Sequence, residues 1–166
     1  MLPRMKKLIR TLRLDQSDSH IFPLAAEAGE WAVPGTFAFL DLDPAEVDRK
    51  QRLAFTSGWL GCQSFGRSTL VEVAEIEESD FFALVERLAR HFVERYGAPD
   101  LAAALPVARE ELDLAASLAE EHKVGTLLAI AREVAEDGAI REAYRVIQPS
   151  RAEEHAKIWT IVEDEA

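Results

Sequence analysis

Residues 126–148 read TLLAIAREVAEDGAIREAYRVIQ and can fold as two strands joined by a tight loop. A loop of Glu136, Asp137 and Gly138, with the glycine in the left-handed conformation of a G1 bulge, brings chemically matched residues opposite each other. The facing pairs in this register are Val134 with Ile140, Arg132 with Glu142, Ile130 with Tyr144, Leu128 with Val146 and Glu133 with Arg141. A two-residue loop would instead oppose two glutamates, and directly opposed like charges are destabilising. The sequence therefore predicts a β-hairpin in this register.

A helix is the alternative for the same segment. Ile140, Ala143, Tyr144 and Ile147 also follow the i, i+3, i+4, i+7 spacing of a helical face, and alanine and glutamate favour helix. We prefer strands because of the complementary pairing across the loop. Residues 157–162 alternate in the same way, which predicts a further strand beside the hairpin.

Length and composition indicate one soluble globular domain over residues 1–166. With 48% hydrophobic and 30% charged residues, a chain of 166 residues can bury about two-thirds of its unfolded surface and is too short for two full domains. The single cysteine, Cys62, excludes an intramolecular disulfide framework and is typical of a reducing compartment. The chain shows neither the apolar run of a signal peptide nor the roughly eighteen apolar residues of a membrane span. We therefore expect a cytoplasmic protein without a membrane contact.

The charge distribution argues against nucleic acid as a partner. The formal net charge is −11, whereas phosphate binding depends on clustered lysine and arginine. Five of the 19 basic residues nevertheless lie in the first 13 positions, at Arg4, Lys6, Lys7, Arg10 and Arg13. We interpret this cluster as the flank of an edge strand, whose positive charges discourage pairing with another molecule, in preference to an anion site.

Capping residues predict the first helix. Asp43, Pro44 and Glu46 supply an acceptor at the N-cap, a proline at N1 and a glutamate at N3. This helix should run to about Gly58, after which closely spaced glycines interrupt regular structure. A strand over residues 68–76 is predicted to follow.

Two more helices are predicted downstream. Phe81, Leu88 and Phe92 share one face of the first of them and should be buried together. Within residues 100–122 we expect a short turn and then a helix with Pro106 near its start, because an internal proline removes a hydrogen bond. The pattern of strands and helices predicts an α+β fold, with a mainly antiparallel sheet and about three helices packed on one side.

Residues 58–69, GWLGCQSFGRST, are the best candidate for a binding site. Glycines let a backbone approach a ligand closely, Arg67 could clamp a carboxylate or phosphate, and Ser64 or Ser68 could orient it. In phosphate-binding loops, however, the order is strand, glycine and helix, whereas here a helix precedes the glycines and a strand follows. A structural role for these glycines, in turns and close contacts, is the favoured interpretation.

Two tryptophans complete the set of candidate binding residues. Trp31 lies between glycines and either fills the edge of the core, which is the favoured interpretation, or lines a partner surface. Trp59 has the same two interpretations. The predicted ligand- or partner-binding residues are therefore Trp31, Trp59, Ser64 and Arg67.

No catalytic residue, metal ligand or cofactor is predicted. Cys62 could act as a nucleophile only beside a histidine and an acid, and a small buried hydrophobe is the favoured interpretation. The tripeptide EEH occurs at residues 120–122 and 153–155, but neither copy has the i, i+4 ligand spacing of a zinc protease.

Four blocks, at residues 30–37, 58–69, 97–101 and 125–148, resemble an uncharacterised family of small proteobacterial proteins. Such proteins accompany molybdenum-dependent formate dehydrogenase or ligase-like genes, so the resemblance implies an accessory role in a cytoplasmic redox system. It transfers no catalytic residue. The predicted function is a non-enzymatic binding or accessory protein that takes a protein partner or a small anionic ligand. The alternative is a small enzyme or an anionic-ligand-binding domain that uses residues 58–69, and the oligomeric state is not predicted.

Overall fold

The computed structural model describes residues 3–13, 21–43 and 45–148. These ranges contain a sheet of seven strands and three α-helices, together with a short 3₁₀-helix at Thr36–Phe39. The elements in chain order are β1 Met5–Leu12, β2 Trp31–Val33, α1 Arg49–Ser57, β3 Trp59–Gly61, β4 Arg67–Ser68, β5 Leu70–Glu77, α2 Glu78–Arg95, α3 Leu101–Glu120, β6 Leu127–Val134 and β7 Ile140–Ile147. The predicted α+β fold with an antiparallel sheet is confirmed.

The strands lie in the order β4-β3-β2-β1-β5-β6-β7, and every neighbouring pair is antiparallel. The prediction that the basic first strand forms an edge was wrong, because β1 lies between β2 and β5. Its basic side chains instead bind neighbouring elements. The Lys7 ammonium donates to the His122 carbonyl at 2.8 Å, and that of Lys6 lies 4.8 Å from the centre of the Phe81 ring.

The hairpin of β6 and β7 has the predicted register at every pair. Gly138 has a φ of 89°, and the Ala135 amide donates to the Ala139 carbonyl at 2.7 Å, which closes the three-residue loop. The helical alternative for this segment was therefore wrong. The strand predicted over residues 157–162 lies outside the described residues.

Helix α1 ends where predicted but begins later than predicted. The Asp48 carboxylate accepts from the Gln51 amide at 2.8 Å, and the Gln51 side chain accepts from the Asp48 amide at 3.1 Å, so these two residues form a capping box. Asp43, the predicted N-cap, instead accepts from the Ala45 amide in a preceding turn. The predicted start of the helix was wrong because a second capping pattern follows the first.

Helix α3 is continuous through Pro106, so the turn predicted before this proline was wrong. Asp100 caps the helix by accepting from the Ala103 amide at 2.8 Å. The proline costs one internal hydrogen bond, whereas the helix buries a face of small and aliphatic side chains that offsets this loss: Ala104, Ala108, Leu112, Ala115 and Ala119. The joint burial of Phe81, Leu88 and Phe92 on α2 is confirmed.

The sheet curls until its two ends meet. Trp59 in β3 stacks on Tyr144 in β7 with ring centroids 5.8 Å apart, although four strands separate β3 from β7. Two buried arginines join the same ends, because Arg67 in β4 and Arg132 in β6 both donate to the Gly58 carbonyl, at 3.1 and 2.9 Å. In the described ranges no helix has the length and apolarity that crossing a membrane would require.

Candidate functional site

An open cleft of about 630 Å³ lies between helix α2 and the turn that joins β3 to β4. The turn contributes Gln63, Ser64 and Phe65 to its walls, and α2 contributes Arg87, His91, Glu94 and Arg95. This volume is within the range of roughly 300–1,000 Å³ that small-molecule sites occupy. The cleft is therefore large enough for a small ligand.

A buried carboxylate shapes the turn. Glu30 is 2% exposed, and its side chain accepts from the amides of Gln63 and Ser64 at 3.0 and 2.8 Å and from the Ser64 hydroxyl at 2.6 Å. Burial raises the pKa of Glu30, but the hydrogen bonds outweigh it and hold this pKa below its ordinary value. A Cβ on Gly61 would collide with this carboxylate, so the glycine allows the close contact.

Phe65 is held in an unfavourable backbone conformation. Its φ is 60°, and among the described residues it is the one non-glycine residue with a positive φ, a conformation that costs about 1–2 kcal/mol. This conformation accompanies a parallel stack of the Phe65 ring on His91, with centroids 3.7 Å apart and planes 3° apart. Arg87 fastens α2 to the turn, because its guanidinium donates to the carbonyls of Cys62 and Gln63 at 3.0 and 2.7 Å. Strained residues of this kind concentrate at functional sites.

The α2 wall of the cleft carries a stripe of basic residues. Arg87, His91 and Arg95 are four residues apart, so their side chains lie above one another on one face of the helix. Arg87 is committed to the turn, whereas the Arg95 guanidinium makes no hydrogen bond or ion pair within the part of the chain that is described. Burial lowers the pKa of His91, and the charges of Arg95 and Arg87 lower it further against the opposing effect of Glu94. The imidazole is therefore mostly neutral at pH 7.

The cleft brings together two of the four residues predicted to bind a ligand or partner. Ser64 and Arg67 line it, whereas Trp31 lies half-buried in β2 and Trp59 is fully buried. The Ser64 hydroxyl is engaged by Glu30. The Arg67 side chain is also engaged, by backbone carbonyls.

Arg67 donates to three backbone carbonyls, those of Pro34, Gly35 and Gly58, at 3.0–3.3 Å. Burial, and next the nearby charge of Arg132, lowers the pKa of Arg67 to about 9, which still leaves it protonated at pH 7. Its guanidinium thus joins the ends of the sheet and adds a fixed positive charge beneath the cleft.

The thiol of Cys62 is not arranged as a nucleophile. It is fully buried, and burial raises its pKa, with further contributions from Glu111 and Glu30. A thiol that stays protonated at neutral pH reacts poorly. Within residues 3–13, 21–43 and 45–148, no three histidine, cysteine, aspartate or glutamate side chains group closely enough to hold a metal ion.

Sequence reasoning missed the residues that define the cleft, which are Glu30, Arg87, His91 and Arg95. For Arg87, His91 and Arg95, the one sequence pattern that could indicate a site is their four-residue spacing. This spacing is also typical of an ordinary solvent-exposed helix face. No sequence pattern indicated the role of Glu30, because the residues of the turn that it contacts are more than thirty positions away in the sequence.

Comparison with known proteins identifies a family for this chain but does not indicate an activity. The family described as "Family of unknown function (DUF6505)" matches residues 5–164. No curated protein and no solved structure matches the chain. The predicted resemblance to an uncharacterised family is therefore confirmed at that level, and any function has to be argued from the cleft itself.

Proposed function

We propose that this chain, which belongs to the DUF6505 family of unknown function, is a non-enzymatic binding protein for a small anionic ligand. The observation that carries the proposal is the stripe of Arg87, His91 and Arg95 along the wall of an open cleft. The cleft lining has three arginines, Arg67, Arg87 and Arg95, against one carboxylate, that of Glu94, so it is positive although the protein has a net charge of −11, and it would attract an anion.

The groups in the cleft suit binding of a carboxylate or phosphate. No described residue accepts a hydrogen bond from the Arg95 guanidinium, and a guanidinium can bind such an anion with two parallel hydrogen bonds. His91 adds a neutral imidazole whose position is fixed by the Phe65 stack. The walls are preorganised by Glu30 and Arg87, which reduces the entropy lost on binding. The buried, protonated Cys62 supports binding in preference to covalent catalysis.

The cellular setting is also a proposal. The composition of the chain supports a cytoplasmic location, and an accessory role beside a redox enzyme is the hypothesis made from the sequence. Such a role would require a partner surface, for which Trp31, half-buried in β2, is the candidate residue.

Titration with inorganic phosphate, followed by calorimetry and by amide chemical shifts, tests the proposal. Wild-type protein should bind phosphate with shift changes centred on Ser64, His91 and Arg95. Arg95→Gln should weaken binding about tenfold, or about 1.4 kcal/mol, because it removes a charge-assisted contact.

Arg90→Gln is the matched control. Arg90 lies on the same helix, carries the same charge and pairs with Glu86 at 3.0 Å, outside the residues that line the cleft. It should bind phosphate as wild type does. An equal loss in both variants would mean that only the overall charge matters, and the absence of binding by phosphate, sulfate and acetate would refute an anion site.

A further inference from the structure

A second, apolar groove of about 430 Å³ lies between the 3₁₀-helix, the end of α2 and the start of α3. Its lining includes Phe37, Leu40, Phe92, Ala103 and Val107. Two of these side chains are largely open to solvent, since Leu40 is 71% exposed and Val107 is 54% exposed. Exposed apolar groups that gather in a concave surface mark a binding site more often than isolated ones do.

The groove and the cationic cleft meet at Tyr96, which lines both. Its ring packs edge-on against His91 in the cleft, with centroids 5.4 Å apart. On the other side it packs edge-on against Phe37 and Phe92 in the groove, at 5.3 and 6.1 Å. An unbroken aromatic wall therefore runs from Phe65, through His91 and Tyr96, into the groove.

We infer that the ligand is an amphiphilic anion, whose charged head lies beside Arg95 and His91 and whose apolar tail crosses Tyr96 into the groove. This inference rests on the proposed function of the cleft. It adds that the two adjoining surfaces form one site for one molecule, of which a medium-chain carboxylate is the simplest example.

Charge complementarity fixes the direction of the ligand. The lining of the cleft end carries three arginines against one carboxylate, that of Glu94, whereas the lining of the groove end carries the carboxylate of Asp41 and otherwise uncharged side chains. An anionic head in the groove would meet Asp41, and an apolar tail in the cleft would cover charged groups at a desolvation cost. A single anionic head with an uncharged tail satisfies both ends.

The test is a calorimetric series on the full chain with sodium butanoate, hexanoate, octanoate and decanoate, each below its micellar concentration. The dissociation constant should fall about three- to fourfold for every methylene that the groove covers. The uncharged 1-octanol should bind at least tenfold more weakly than octanoate, because it lacks the head that Arg95 would bind.

Val107→Asp places a negative charge in the groove and should flatten the series, so that decanoate binds little better than butanoate. Leu40→Asp, at the residue that follows the 3₁₀-helix, tests the same groove if the first variant is poorly folded. Val124→Asp is the matched control, because Val124 is equally exposed, at 54%, but lies outside the groove. This control should show the same increase in affinity with chain length as wild type.

The possible results distinguish a failure of the tail inference from a failure of the proposed anion site. If butanoate and phosphate bind but affinity does not rise with chain length, the tail inference is wrong and the proposed function stands. The inference would also be overturned if affinity still rose with chain length in both Val107→Asp and Leu40→Asp. Equal affinity for octanol and octanoate would overturn it as well. If phosphate, sulfate and acetate all fail to bind, the proposed function is wrong, and the inference that rests on it is wrong with it.

Discussion

Replacing Glu30 with glutamine should destabilise the fold and loosen the turn that shapes the cleft. The carboxylate accepts from the amide of Glu27 at 2.6 Å, in addition to its bonds from Gln63 and Ser64. In glutamine one of the two oxygens becomes an NH₂ group. Where this group faces the Glu27 amide, two donors oppose each other and one loses its partner, at about 1–3 kcal/mol. The remaining bonds lose their charge assistance, so we expect a total loss of about 3 kcal/mol.

Urea unfolding of wild type and Glu30→Gln across a pH series measures this loss. The pKa of Glu30 is lowered in the folded protein, so its charge stabilises the fold above the ordinary value of 4.5, and this contribution is lost as pH falls through the folded pKa. The difference in free energy of unfolding between wild type and Glu30→Gln should therefore have its full value at pH 7 and decrease below pH 4.5. Glu27→Gln, an exposed side chain in the same loop, should match wild type. A loss under about 1 kcal/mol at pH 7, or one independent of pH, would refute the role of the carboxylate.

Three further substitutions test the packing by urea unfolding. Phe92→Ala should cost roughly 3–5 kcal/mol because the ring is buried between α2 and the core, and a loss under about 1 kcal/mol would show that this face is not core. Gly61→Ala should cost about 1–3 kcal/mol because the new methyl group collides with Glu30, so wild-type stability would contradict the contact. Gly138→Ala should cost about 1–2 kcal/mol from backbone strain alone, since nothing lies within 4 Å of the added carbon, and no loss would argue against the positive φ.

The terminal hairpin was predictable because the information for it is local. The pairing of Arg132 with Glu142 and of Glu133 with Arg141 separates the correct register from its neighbour within one short segment. The start of α1 was not predictable in this way. Asp43 with Glu46 and Asp48 with Gln51 are both capping patterns of similar strength. The choice between them depends on the path of the chain from β2, which the local pattern does not specify.

The cleft could not be predicted, because it depends on contacts between segments far apart in sequence. Its turn needs Glu30, which precedes Ser64 by 34 residues, and its cationic wall belongs to α2. Before the turn is placed against them, Arg87, His91 and Arg95 are indistinguishable from the solvated face of an amphipathic helix. The tract of residues 58–69 was identified as the site, but from its glycines and Arg67, whose side chain is committed to backbone carbonyls.

The pKa of the His91 imidazole, measured by NMR with and without saturating phosphate, tests most directly whether an anion binds in the cleft. The neighbouring charges of Arg95 and Arg87 help to lower this pKa in the free protein. A bound anion would offset those charges and favour the protonated imidazole, so the pKa of His91 should rise with phosphate. The amide of His122, which lies outside the cleft just beyond α3, should keep its chemical shift. A His91 pKa that stays the same with phosphate would contradict anion binding at this site.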